Sequence, residues 1–347
     1  MADHDRFALR TVRIEQVRRE ADGVVSLELV DPSGADLPPW APGAHVDIVL
    51  PSRLVRQYSL CGRPDDRSSY RIAILRDEHG KGGSREIHES VLVGKEVQIR
   101  GPRNHFKLGE ADEYLFVAGG IGITPILTMI RQLDEQGYAY RLVYGGRSRG
   151  TMAFQKELDA IGGDVDYVPF DERGQLDLDE ILDSVAPWTS VYACGPEGLL
   201  RAMEKACEAR NLKLNVERFG TAPPPRTPAA APTAVAAGDG LAATADATPA
   251  DAAAAGTGDG SFTVELQTSG LVLDVPPDRT ILDVVREHLP QVISSCEEGF
   301  CGACETPVIS GEPDHRDAVL DEHEKEANET MMICISRCKG SKLVLDL

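Results

Sequence analysis

The rhythm of apolar positions changes three times along this chain. Up to residue 109, short alternating runs are separated by turns: TVRIEQVRR, GVVSLELV, HVDIVL, YRIAIL and EVQIR. Such runs predict β-strands, with one helical stretch from Ser84 to Val91. From 110 to 220 each apolar run leads into a helical pattern. YLFVAGG precedes GITPILTMIRQL, YRLVYGG precedes TMAFQKELDAI, and SVYACGP precedes EGLLRAMEKACEAR. This strand–turn–helix repeat predicts a parallel α/β sheet with ligand turns at its strand ends. Large apolar residues nearly vanish from 221 to 260, leaving Ala, Pro, Thr, Gly and Asp. That segment cannot bury enough surface to offset chain entropy and reads as a disordered linker. A flexible coil of that length reaches roughly 35 Å. From 261 to 347 come FTVELQT, LVLDV, a helix ILDVVREHL, a cysteine loop and a closing KLVLDL, a small α+β unit. Few contacts are expected to cross the linker, so the last unit should be separable.

Five of the eight cysteines fall in this last unit, four of them between Cys296 and Cys334. Cys296, Cys301 and Cys304 have the spacing C-x4-C-x2-C, and Cys334 follows at a distance. This is the spacing of a plant-type [2Fe–2S] site. Gly299 and Gly302 would let the loop fold tightly around the cluster. A zinc site is the alternative, but zinc sites pair their two-residue gaps and only one gap fits. Cys338 lies four positions after Cys334 and reads as a spare.

Two segments of the first unit suit a flavin. In Arg56-Gln57-Tyr58-Ser59, alternation sets Arg56 and Tyr58 on one side and Ser59 on the other. A guanidinium grips a phosphate by a bidentate fork, a tyrosine ring covers an isoalloxazine face, and a hydroxyl reaches a ring nitrogen. By itself this is also what an ordinary edge strand looks like. The turn Gly82-Gly83-Ser84 opens the predicted helix, where free N–H groups favour phosphate. In the second unit, GGIGITP carries Gly120 and Thr124 at a strand end. It is not the G-x-G-x-x-G of a Rossmann dehydrogenase. Cys194, Gly195 and Pro196 form a second strand end, where Cys194 suits either a buried structural role or the nicotinamide pocket. Phe219 closes the unit. Arg147 and Ser148 follow the strand RLVYGG, where an adenosine ribose would lie.

Taken together, these segments resemble the phthalate dioxygenase reductase group of the ferredoxin–NADP reductase superfamily. The resemblance covers everything except the linker. It implies three domains: an antiparallel β-barrel flavin domain (1–109), an α/β parallel-sheet nucleotide domain (110–220) and a β-grasp ferredoxin domain (261–347). It also implies FMN rather than FAD, and NADH rather than NADPH. Cys194 would lie where the nicotinamide meets the flavin, Phe219 would cover the flavin, and ICISR around Cys334 is similar to the ferredoxin ligand segment. Ser59, Cys194 and Phe219 are therefore the residues expected nearest the reacting atoms. Hydride carries two electrons and the cluster takes one at a time, a mismatch that a flavin resolves. The implied partner is a terminal oxygenase of the Rieske type or an O-demethylase. The alternatives are a cytochrome P450 partner, or a redox-sensing protein without turnover. The long linker leaves the placement of the ferredoxin domain open.

Charge narrows the partners. There are 36 Lys or Arg against 56 Asp or Glu, a net charge of −20. That argues against a nucleic-acid binder and against docking on anionic membranes. Residues 261–347 hold 17 acidic against 7 basic residues, densest from Glu312 to Glu329. This face is expected to guide a basic partner, the alternative being a solvated acidic helix without one. No leader is legible in MADHDRFALR, so a cytoplasmic monomer is expected.

Overall fold

The computed structural model describes residues 8–80, 82–90, 92–219 and 260–347. The linker predicted at 221–260 lies outside the described residues except for Gly260, as do Lys81 and Val91.

The first unit contains β1 (Leu9–Ala21), β2 (Val24–Val30), β3 (His45–Val49), β4 (Val55–Ser59), β5 (Ser69–Leu75), α1 (Gly83–Glu89) and β6 (Glu96–Arg103). Its strands form one antiparallel sheet in the order β4-β3-β6-β1-β2-β5. A bridge between Leu60 and Ile72 joins the two edges and closes the barrel, which removes the exposed strand edges. Val12, Ile14, Leu27, Leu29, Val46, Ile48, Ile72 and Ile99 fill it. The helix expected from Ser84 begins one residue earlier, at Gly83. Its N-cap is Gly82, whose φ of 92° is a left-handed conformation natural to glycine.

The second unit contains β7 (Tyr114–Gly119), α2 (Ile123–Gln136), β8 (Tyr140–Gly146), α3 (Gln155–Ile161), β9 (Asp164–Pro169), α4 (Phe170–Arg173), α5 (Leu178–Asp183), β10 (Ser190–Gly195), α6 (Glu197–Arg210) and β11 (Leu214–Arg218). The parallel sheet runs β11-β10-β7-β8-β9. Alternation along β7 sends Leu115 and Val117 to one face and Phe116 and Ala118 to the other. The Phe116 face shares its apolar cluster with Ala21, Val24, Cys61 and Ala73 of the barrel. At the same seam, Arg71 holds Glu157 at 2.9 Å and Arg131 donates to the carbonyl of Gly62 at 2.8 Å.

The last unit contains β12 (Phe262–Leu266), β13 (Leu271–Val275), α7 (Ile281–His288), β14 (Glu305–Ser310), β15 (Pro313–Asp314), α8 (Glu322–Ala327), β16 (Thr330–Met332), β17 (Arg337–Cys338) and β18 (Lys342–Leu345). The main sheet is mixed, in the order β13-β12-β18-β14-β16. The apolar face of α7 (Ile281, Leu282, Val285) belongs to the core of this sheet. Thr280 starts the helix in a reciprocal cap with Asp283. The cluster of buried apolar side chains here is drawn only from this unit.

Tight backbone packing at the centre of the parallel sheet explains part of the glycine pattern. A Cβ on Gly122 would lie 2.2 Å from the Cys194 carbonyl oxygen, and one on Gly195 would lie 2.9 Å from Gly119 Cα. Neither obstacle is a flexible side-chain tip. Gly122→Ala should therefore destabilise the chain by about 1–3 kcal/mol, the usual cost of overpacking. A urea midpoint that falls with an unchanged slope would be the expected result. An unchanged midpoint would show that β10 can move aside.

Candidate functional site

One cleft of about 580 Å³ lies where all three units meet. Ligand sites commonly have volumes of this order. Its walls include Arg56, Tyr58 and Ser59 of β4, Gly83 and Ser84 of α1, Thr124 of α2, Phe219 after β11, and Cys296 and Cys301 of the cysteine loop. Most of the expected flavin residues are thus brought together with two of the expected cluster ligands. Alternation had put Ser59 opposite Arg56 and Tyr58, yet all three line the cleft. Gln57 lines it as well, so the cleft touches both sides of β4.

Local geometry shapes the walls. A Cβ on Gly83 would lie 2.7 Å from Arg56 Nε, so the missing side chain leaves room for the guanidinium beside the start of α1. The hydroxyl of Ser84 accepts from the Asp77 N–H at 3.0 Å, tying the turn shut. Thr124 is buried and donates to the Ile121 carbonyl at 3.0 Å. Phe219 is 38% exposed at the mouth.

The remaining expected residues sit outside the cleft walls. Cys194 is fully buried, and Gly195 and Pro196 pack on Gly119. Gly120 differs from its neighbours: φ is +56° and nothing lies within 4 Å of where its Cβ would be. Gly119, Gly122 and Gly195 serve close backbone packing, and Gly120 faces open space. Arg147 is exposed at the end of β8, and its carbonyl accepts from the Asp171 N–H at 3.2 Å. Ser148 caps the turn Arg149–Thr151.

The four spaced cysteines stand as two pairs. The Cys296 N–H donates to the Cys301 sulfur at 3.4 Å, and Cys304 and Cys334 are buried together in one core cluster. Backbone N–H groups of Glu298 and Ala303 donate to Cys296 and Cys301 sulfurs at 3.4 Å each. Among the described residues, no three His, Cys, Asp or Glu side chains converge on one metal position. Two pairs suit a [2Fe–2S] cluster, in which each iron takes two protein ligands. They do not suit one tetrahedral zinc. Cys338 lies apart, in β17 opposite Pro313 and near Glu312 and Asp314.

Matches to known proteins agree with this arrangement. Residues 116–205 match an oxidoreductase NAD-binding domain, and 264–339 match a 2Fe-2S iron-sulfur cluster binding domain. The chain is 38% identical to the vanillate O-demethylase oxidoreductase of a Pseudomonas species, over 97% of this chain and 99% of that one. The solved structure of phthalate dioxygenase reductase is 34% identical, with a TM-score of 0.64 and 98% of each chain covered. The chain belongs to the phthalate dioxygenase reductase group of the ferredoxin–NADP reductase superfamily. An intact self-sufficient cytochrome P450 monooxygenase also matches, at 40% identity and a TM-score of 0.77. There the match covers 98% of this chain and 41% of the other. As a member of this group, the chain is an oxidoreductase with a [2Fe–2S] domain and a nicotinamide-nucleotide domain. No helix among the described residues is long and apolar enough to cross a membrane.

The sequence leaves the placement of the reductase's ferredoxin domain open and predicts few contacts with the rest, yet several polar contacts join it to the barrel unit. Gln57 donates to the Cys301 carbonyl at 2.7 Å, and Arg100 to that of Ala303. A linker's composition carries no information about complementary surfaces elsewhere. The acidic face is also partly neutralised. Glu324 pairs with Lys107 of the barrel unit at 3.3 Å, Glu312 with Lys339 at 2.9 Å, and Asp314 with Arg316 at 2.6 Å.

Sequence reasoning missed Glu217. It accepts from the Ser59 hydroxyl at 3.5 Å and stands 3.9 Å from His45. Its side chain is 14% exposed, and burial pushes its carboxyl up to about 8. Burial and then Glu217 itself also push the Cys194 thiol well up. The available signal was its position two residues before Phe219, on a strand leading to the cleft. A carboxyl raised from its unfolded 4.5 favours the folded state while protonated. That contribution is complete below the unfolded value and is lost as pH climbs towards 8. The neutral amide of Glu217→Gln should remove this loss. The variant's stability relative to wild type should rise between those values, by at most about 1.4 kcal/mol per pH unit. Urea midpoints at pH 5, 7 and 9 test this, and a constant difference would contradict it.

Proposed function

We propose that this reductase takes hydride from NADH and passes electrons through FMN and a [2Fe–2S] cluster to a terminal oxygenase. One observation carries the reading: flavin-type residues, a nucleotide strand end and two spaced cysteines line a single cleft. The donors fit the implied groups. Arg56 and the Gly82–Ser84 turn offer a site for one terminal phosphate, which favours FMN over FAD. The Tyr58 ring and Phe219 suit the two faces of a planar ring, and the Ser59 hydroxyl suits its edge. Thr124, Cys194, Gly195 and Pro196 would shape the nicotinamide pocket, and Gly120 would admit the pyrophosphate. Arg147 and Ser148 would meet the adenosine ribose. Cys296, Cys301, Cys304 and Cys334 would hold the cluster. The bound flavin would supply the change from two-electron to one-electron transfer. The protein's own work is to orient and to exclude water. Phe219 at the mouth would have to move aside for nicotinamide, and Ser59 with a protonated Glu217 would present a neutral, proton-bearing edge to the ring.

The vanillate O-demethylase relative supports a Rieske-type oxygenase or O-demethylase as partner. A P450 partner is the second reading, favoured by the 40% identity to the self-sufficient enzyme. Partner reduction with purified oxygenases of both classes separates the two. NADH should be oxidised with cytochrome c as acceptor, and mass spectrometry of the released cofactor should give FMN. Release of FAD, or absence of turnover, would refute the corresponding half.

Serine replacements test the ligand set. Cys296→Ser, Cys301→Ser, Cys304→Ser and Cys334→Ser should each abolish or strongly alter the EPR signal of the reduced protein. Cys338→Ser should leave it unchanged. A normal signal in Cys334→Ser with loss in Cys338→Ser would exchange their roles.

A further inference from the structure

The seam between the barrel and the cysteine loop carries a second site of interest. Asp47 on β3 is fully buried, flanked by Val46 and Ile48 of the barrel core. It accepts from Arg100 Nε at 3.0 Å, Arg100 Nη2 at 2.7 Å and Arg103 Nη2 at 2.8 Å. Gln57 Nε2 approaches its other oxygen at 3.4 Å. Two of these donors reach onward to the cysteine loop, Gln57 to the carbonyl of Cys301 and Arg100 to that of Ala303. Arg103 approaches Glu305, next to Cys304, at 3.9 Å. Arg100 and Arg103 are themselves almost fully buried, so their charges act in a poorly screened medium.

We propose that Gln57 and Arg100, both held by Asp47, are positioning residues that fix the cluster loop against the flavin cleft. Arg100 also makes the cluster easier to reduce. The inference rests on the proposed flavin and cluster sites and goes beyond them. Gln57 lies between Arg56 and Tyr58, so one strand grips the flavin side and the cluster side through consecutive residues. A buried guanidinium beside the loop favours the more negative, reduced state of the cluster. In the transfer concerned, the reduced flavin gives up one electron and the oxidised cluster takes it.

The test uses the full chain with both cofactors bound. Stopped-flow mixing with NADH separates flavin reduction from the later bleaching of the cluster, and an EPR-monitored titration gives the cluster potential. In Gln57→Leu and Arg100→Met, flavin-to-cluster transfer should slow by about tenfold or more, as expected for loss of a hydrogen bond involving a charged or tightly held group. Flavin reduction should stay within about twofold in Arg100→Met, since each tenfold needs about 1.4 kcal/mol. The potential should fall in Arg100→Met and recover in Arg100→Lys, which keeps the charge. Transfer should stay slow in Arg100→Lys, because an ammonium cannot reproduce the forked contact. Lys107→Ala removes only the exposed cross-domain pair with Glu324 and should change neither reading. Should Arg100→Met fail to fold, Gln57→Leu and Arg100→Lys decide. Wild-type transfer rates in both would overturn the proposal, as would a potential in Arg100→Lys that falls with transfer intact. A wild-type chain that shows no reducible cluster would instead remove the functional reading beneath it.

Discussion

The architecture turns on one buried carboxylate. Asp47 sits in the barrel wall with no exposure, a position that by itself would be strongly unfavourable for a charge. Burial works against its ionised form, but Arg103 and Arg100 more than offset it and hold the carboxyl below the usual range. The buried carboxylate is tolerable only while these guanidinium groups stay beside it. Removing one partner of such a group costs about 3–5 kcal/mol, because the others are left buried and unpaired. Three charge-assisted hydrogen bonds make the Asp47 end of this hub stiff, although Arg103 Nε and Nη1 have no hydrogen-bond partner among the described residues. That stiffness is what allows Arg100 and Gln57 to address two particular carbonyls on another domain.

The two domain seams are built from different materials. The nucleotide domain meets the barrel through a shared apolar cluster, reinforced by the ion pair of Arg71 with Glu157. The ferredoxin domain keeps its apolar cluster to itself and meets the barrel through hydrogen bonds and ion pairs. Apolar seams gain free energy from area without regard to direction, and so resist separation. Polar seams specify orientation and return less net free energy, since water competes for each group. This contrast suits the proposed task. Hydride transfer needs two ring systems in contact, whereas electrons must leave through a domain that also serves an outside acceptor.

Much of this was legible in the sequence because it rests on local rules. Strand rhythm, the strand–turn–helix repeats and the C-x4-C-x2-C spacing identify the three folds, and all are patterns within a few residues. Glycine roles were only half legible. Gly119, Gly122 and Gly195 look like ligand glycines, and the structure adds a second demand on them, close backbone packing between the end of β7 with its following turn and the end of β10. Glu217, Asp47 and Arg100 were not legible as site residues. Each depends on a partner more than fifty positions away (Arg100 for Asp47, Ser59 for Glu217), and no periodicity encodes that. A faint signal did exist in HVDIV and VQIRG, where a charge interrupts an apolar strand. Such an interruption in a core strand calls for a buried partner, even when the partner cannot be named.

The position of Gln57 explains why the long gap between domains need not loosen the electron route. Successive strand residues rise about 3.3 Å, so residues 56 to 59 together span roughly 10 Å. Within that length β4 presents Arg56, Tyr58 and Ser59 to the cleft and ties Gln57 to the carbonyl of Cys301. In the proposed arrangement, the separation between flavin side and cluster side would be set by the pitch of one strand. The segment from 221 to 260 has only to permit the docked pose and to raise the local concentration of its domain. Its composition is then free to vary, while Asp47, Gln57 and Arg100 are constrained together.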